Sequence, residues 1–129
     1  LIDSAVVCIL AQRLVRKICS NCKEEHPVSA DILNTLRVRV DRSSKYKFFR
    51  GKGCSRCFNL GYSGRISIAE LLILTPKIRE LILNRSQEHI IKQQARKEGM
   101  KSLREDGVRA ALMGLTTLEE VVRITAADD

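Results

Sequence analysis

Two Cys-x-x-Cys pairs, Cys19-Ser20-Asn21-Cys22 and Cys54-Ser55-Arg56-Cys57, stand 31 residues apart and constrain this chain more than any other feature. A spacing of two lets both sulfurs of a pair turn toward one ion. Four thiolates at about 2.3 Å saturate a tetrahedral zinc and leave no open position for substrate. The pattern therefore predicts a structural site holding one zinc ion, although four thiolates would also accept iron. Gly51, Gly53 and Gly61 flank the second pair, as a tight turn around a metal requires. The competing readings are two surface thiol pairs, or redox dithiols that would each need a strand-to-helix setting of their own. His26, four residues after Cys22, could replace one cysteine or be an ordinary loop histidine before Pro27. Cys8, between Val7 and Ile9, reads as a small buried hydrophobe.

Charge is concentrated beside these cysteines. Between Arg37 and Arg56 there are eight basic residues and one acid, Asp41, which is nearly the whole of the chain's net +8. Leu36, Val38 and Val40 alternate with polar residues before Asp41-Arg42-Ser43-Ser44, and Tyr46 and Phe48 alternate after it. That pattern predicts a short hairpin with Arg37, Arg39, Lys45 and Lys47 projecting from one face as a basic stripe. The stripe suits an acidic protein or an anionic membrane surface. All five aromatics, Tyr46, Phe48, Phe49, Phe58 and Tyr62, lie within seventeen residues and read as one miniature core. The alternative is a stacking surface for single-stranded nucleic acid.

The rest of the 129 residues reads as short elements. Ile2, Val6, Val7, Leu10, Leu14 and Ile18 fit a helical period, capped by Asp3 or Ser4, and the apolar start reads as the continuation of a longer chain. Ile66 and Ile68 alternate before Leu71 to Leu74, which predicts a mostly buried strand. Glu70 shares the face of Ile66 and Ile68 and needs a cation, with Arg65, Arg13 or Arg16 as candidates, for a structural ion pair. Thr75-Pro76 opens a helix, Ser86 to Gly99 forms a second, Ser102 with Glu105 caps a third, and Thr116-Thr117-Leu118-Glu119 caps a fourth. No apolar run reaches the roughly 20 residues a spanning helix needs, and paired cysteines fit a cytoplasmic chain.

Catalytic signatures are missing. A phosphate-binding loop ending in Gly51-Lys52 would have Tyr46 at its first glycine and Gly53 at its hydroxyl position. No G-x-S-x-G elbow or H-E-x-x-H occurs, and the residues assign neither a catalytic nor a nucleotide-binding group. Taken alone they describe a zinc-stapled basic interaction module, with a free-standing zinc-ribbon binder of single-stranded nucleic acid as the alternative.

Several strings occur together: Ala11-Gln12-Arg13-Leu14-Val15-Arg16 before the first cysteine pair, Gly51-Lys52-Gly53-Cys54 at the second, and Gly61-Tyr62-Ser63-Gly64-Arg65 with Glu70-Leu71-Leu72. Gly99-Met100-Lys101-Ser102-Leu103, Asp106-Gly107 and Gly114-Leu115-Thr116-Thr117-Leu118-Glu119-Glu120-Val121 follow. With these the chain resembles, over essentially its whole length, the C-terminal part of the secretion ATPases, the motors of type II secretion and type IV pilus assembly. The resemblance implies an α+β fold: the end of a RecA-like P-loop ATPase domain over residues 1–18, now as a helix and then a strand from near Leu10. A zinc module at 19–57, a returning strand of the ATPase domain at 58–75 and a C-terminal bundle of short helices at 76–129 complete it. Retraction-type relatives lack the zinc module, which implies an insertion between hairpin partners 11–18 and 64–73. ATP and Mg2+ would belong to the full-length parent alone, since the Walker motifs lie upstream, and this chain should be inactive by itself. The implied setting is a homo-hexamer at the cytoplasmic face of the inner membrane, docking the inner-membrane platform protein and other machinery components; nucleic acid is not an expected partner.

Overall fold

The structure is a computed structural model and describes residues 7–37 and 47–126. In chain order it contains β1 (Cys8–Ile18), β2 (Lys23–Glu25), α1 (Ala30–Thr35), β3 (Phe49–Gly51), a 3-10 turn (Ser55–Cys57) and β4 (Tyr62–Ile73). The helices α2 (Pro76–Leu83), α3 (Glu88–Lys97), α4 (Leu103–Leu112) and α5 (Leu118–Thr125) follow.

The first segment is a strand where the spacing of apolar residues predicts a helix. Leu10, Leu14 and Ile18 recur every four residues, and four is both about one helical turn and two strand pleats, so the interval alone cannot separate the two. Pairing decides it: β1 runs antiparallel to β4 from Cys8 opposite Ile73 to Ile18 opposite Tyr62. A register shift between Arg16 and Ile18 lets Ile18 turn inward together with Val15. The helix implied ahead of this strand falls largely on residues 1–6, outside the described residues.

Only one face of this ribbon is well covered. Val15 and Ile68 lie fully buried against Leu103 and Ala110 of α4. On the opposite face Leu10, Leu14, Leu71 and Ile73 are exposed, as is Ile9 at the far end, so the run expected to be mostly buried is not, and Cys8 is exposed rather than a core residue. The difference has a plain cause, since the register puts Leu10, Leu14, Leu71 and Ile73 on the face turned away from Leu103 and Ala110.

The chain between Ile18 and Tyr62 forms a lobe. Its β2 and β3 pair antiparallel, with Lys23 opposite Gly51 and Glu25 opposite Phe49. Leu36 and Phe48 bury against Ala111, Leu118 and Val121, so α4 is packed on the ribbon by one face and on the lobe by another. Leu36 is the C-cap of α1 and Arg37 follows it at φ +54, so the chain there is not the first strand of a hairpin; the remainder of that predicted hairpin, residues 38–46, lies outside the described residues. Nor do the described aromatics form one core. Phe48 is buried, Phe49 lies beneath the Lys23 ammonium, Tyr62 lies beneath the Arg16 guanidinium, and Phe58 is 85% exposed.

The helical end follows its capping residues. The Thr75 hydroxyl accepts from the Ile78 N–H with Pro76 in the first turn, and Gly99 and Gly114 take positive φ just past α3 and α4. Ser102 and Glu105 make a complete capping box. The fourth helix caps one residue later than its sequence suggests: Thr117 accepts from Glu120 N–H, and the Glu120 carboxylate is drawn away to two arginines instead of closing a box.

Candidate metal centre

Cys19 follows directly on β1, Cys22 precedes β2, and Cys54 and Cys57 bracket the 3-10 turn. The two pairs are brought together because β2 and β3 are hydrogen-bonded and because Cys19 N–H donates to Gly61 O at 3.0 Å. Gly51 and Gly61 touch backbone to backbone, and a Cβ on Gly51 would collide with the Gly61 carbonyl, so the approach needs glycine at both strand ends.

The four sulfur atoms lie within 4.8 Å of one another. Cys19 to Cys54 and Cys22 to Cys57 are 3.8 Å apart, and Cys54 to Cys57 is 3.6 Å. A tetrahedron of thiolates about 2.3 Å from a central zinc has an edge of about 3.8 Å. The donor set fits such an ion, and these four could hold one. Backbone N–H groups aim at the sulfurs as well: Gly53 donates to Cys22, and both Cys54 and Gly61 donate to Cys57, each at 3.3 Å. His26 takes no part; its N–H donates to Phe48 O and it sits beyond β2, so the tetrahedron is all cysteine among the described residues.

The thiols are unequal before any metal is considered. A hydrogen bond from the Asn21 side chain, more than any other influence, holds Cys54 down to about 6. Desolvation foremost pushes Cys22 up to about 11. Burial opposes ionisation of Cys57, but N–H donors from Cys54 and Gly61 outweigh it and hold that thiol below its ordinary value. Four like charges this close cannot coexist unaided, whereas a dication offsets them.

The basic stripe is only partly visible. Arg39 and Lys45 lie outside the described residues, Arg37 is exposed, and Lys47 is exposed and paired with Glu25 at 3.1 Å. Arg65 and Glu70 are not brought together. Five residues along one strand place them on opposite faces and about 16 Å apart, with Arg65 opposite Arg16 and Glu70 opposite Ala11.

The buried ion pair is elsewhere, and the sequence reading missed it. Glu120 of α5, only 1% exposed, accepts from Arg16 Nη2 at 3.0 Å, from Arg16 backbone N–H at 3.0 Å and from Arg123. Arg16 also lies 4.2 Å over the Tyr62 ring, whose hydroxyl is 2.7 Å from that of Thr117. A glutamate three residues after a threonine cap was the available signal, but it points to a local box and not to a partner 104 residues away.

The four-cysteine lobe is thus closed onto the end of an antiparallel ribbon, with α4 and α5 packed against both. Residues 1–123 match the model of the family described as "Type II/IV secretion system protein". The chain belongs to that family. It is 42% identical to the "Type IV pilus assembly ATPase PilB" of Thermus thermophilus over 96% of this chain and 14% of that protein. It is 41% identical to the protein of the same name from Pseudomonas aeruginosa, over 95% of this chain and 21% of that one. It is also 42% identical to the "Type II secretion system protein E" of Pseudomonas aeruginosa, over 97% of this chain and 24% of that protein. The chain thus spans a quarter or less of the length of these relatives. The nucleic-acid alternative loses ground on both counts, since the match lies with secretion and pilus proteins and Phe48, Phe49 and Tyr62 are already covered.

Proposed function

We propose that this chain is the metal-stapled lobe and helical end of an ATP-driven motor for type II secretion or type IV pilus assembly. In this reading β1 and β4 close a RecA-like ATPase domain over residues 1–18 and 58–75. Residues 19–57 form an inserted zinc module and residues 76–129 the C-terminal helices. The observation that carries the reading is the sulfur tetrahedron at the base of the ribbon, in a chain 41–42% identical to assembly ATPases. The exposed apolar face of the ribbon supports it too, because such a surface is what a sheet presents when further structure belongs against it.

Zinc at Cys19, Cys22, Cys54 and Cys57 would be a cross-link and not a reaction centre, since four thiolates complete its coordination. By analogy with a disulfide, closing about 31 residues offsets roughly 3–4 kcal/mol of chain entropy. The lobe keeps Ile18 and Tyr62 paired while carrying a basic surface outward. ATP and Mg2+ act in the full-length hexameric motor, and the chain alone turns nothing over. The lobe docks the inner-membrane platform protein at the cytoplasmic face of the membrane, through Arg37, Arg39, Lys45 and Lys47.

Reversing those four residues to Glu in the full-length protein should abolish platform-stimulated ATPase activity while zinc content and basal activity stay unchanged. Undiminished stimulation would remove the docking role. A metal-to-protein ratio near zero in the unaltered protein would remove the zinc.

A further inference from the structure

The turn that holds the second cysteine pair ends in a presented apolar tip. Phe58 is 85% exposed and Leu60 is 66% exposed, with Asn59 also exposed between them. This tip is not loose chain. Asn59 N–H donates to Cys54 O at 2.8 Å, Leu60 N–H donates to Cys57 O at 3.0 Å, and Gly61 N–H donates to the Cys57 sulfur. Phe58 and Asn59 sit at φ +55 and +61, a conformation that side-chain-bearing residues adopt at a cost and that the surrounding bonds impose. The bonds that close the turn on Cys54 and Cys57 thus also fix the chain that carries the exposed phenyl ring and leucine.

The surroundings are predominantly basic. The metal end of the lobe carries Lys17, Lys23, Lys52 and Arg56, and Glu24 next to Lys23 is paired with Arg50 at 2.9 Å. Lys17, Lys52, Arg56 and Arg65 are all exposed, and Lys23 lies over Phe49. Four thiolates around a dication have a formal charge of −2, so this end stays cationic when loaded. A convex apolar point with a cationic skirt needs no complementary pocket in its receptor. It has the chemistry of an interfacial anchor, with apolar side chains at the level of the headgroups and basic side chains on lipid phosphates.

We propose that the Phe58–Leu60 tip inserts into the surface of an anionic bilayer, with Lys52 and Arg56 binding its phosphates. The proposal extends the docking role given above and rests on the lobe facing a membrane. It concerns different residues from the platform stripe, so the two can fail separately.

The chain has no tryptophan, which makes Phe58→Trp a single fluorescent reporter at an exposed position. Metal-loaded full-length protein carrying it, with no other tryptophan left, is mixed with vesicles of phosphatidylcholine alone, or of phosphatidylcholine and phosphatidylglycerol in equal parts. The expected result is a blue shift and quenching by brominated acyl chains with the anionic vesicles only. Co-sedimentation of F58S/L60S and of K52E/R56E should weaken by roughly tenfold or more, with zinc content unchanged. Co-sedimentation of the tryptophan variant without any emission shift would overturn the insertion, as would undiminished binding of F58S/L60S. A shift produced by single-stranded oligonucleotide or by the isolated platform protein, and not by vesicles, would overturn it in favour of that partner.

Discussion

Two carboxylates do similar work at the ribbon's edges. The N–H of Arg16 on β1 donates to Glu120, and the N–H of Ala69 on β4 donates to Asp106 Oδ2 at 2.8 Å. Each strand of a two-stranded ribbon has an outward row of unpaired groups, and each acid satisfies one of them while tying a helix to the strand. Glu120 has the higher stakes because it is buried. Burial works against its ionisation, but Arg123, Arg16 and the Arg16 backbone together hold it down at about 2, against an ordinary 4.5. A depressed carboxylate stabilises the fold above its unfolded value and loses that contribution as pH falls through its folded value. The contribution, about 3 kcal/mol, should thus be full above pH 4.5 and vanish toward pH 2, and Glu120→Gln should remove most of that acid-side slope. Urea midpoints of both proteins across this range measure it; equal slopes would show that Glu120 is not the group responsible. The sequence reading named Arg16 only as one candidate partner for Glu70, whereas its acid is Glu120. Strand arithmetic within one segment says nothing about a helix packed across it.

At the level of elements, what could be read depended on whether the cause was local. Thr75-Pro76 and Ser102 with Glu105 determine their own helix starts through bonds spanning three residues, and both appear where the sequence places them. Ser102→Ala is expected to destabilise the protein by about 1 kcal/mol, read as a lowered thermal midpoint, because it orphans the Glu105 N–H. The same substitution at Thr117 should cost more, since its hydroxyl also meets Tyr62. The short α1 escaped notice, although Ser29 caps it and Asp31 lies in its first turn, because six residues hold too few apolar positions to show a period. β1 was legible only through resemblance to a family, for its residues fit two periods and its pairing partner lies more than forty positions later. Grouping of the four cysteines was fully legible, as the motif encodes the geometry.

For the molecule as a whole, the cysteine cluster and the helices hold the lobe at two separate places. Leu36 and Phe48 anchor it on α4 and α5, while the sulfurs close it at the ribbon. Strong chelation should therefore loosen the segment from Cys19 to Cys57 without unfolding the last helices, whose contacts with Val15 and Ile68 do not pass through the cysteines. Hydrogen exchange with and without chelator tests this: protection should fall in the lobe and persist in α4. Unchanged protection in the lobe would show that packing alone suffices there. The antiparallel ladder makes Ile18 and Tyr62 neighbours whatever joins them. The end of the ribbon is in effect a socket with fixed terminals, and a cassette of another length whose two ends meet across one rung could be exchanged there without moving either strand.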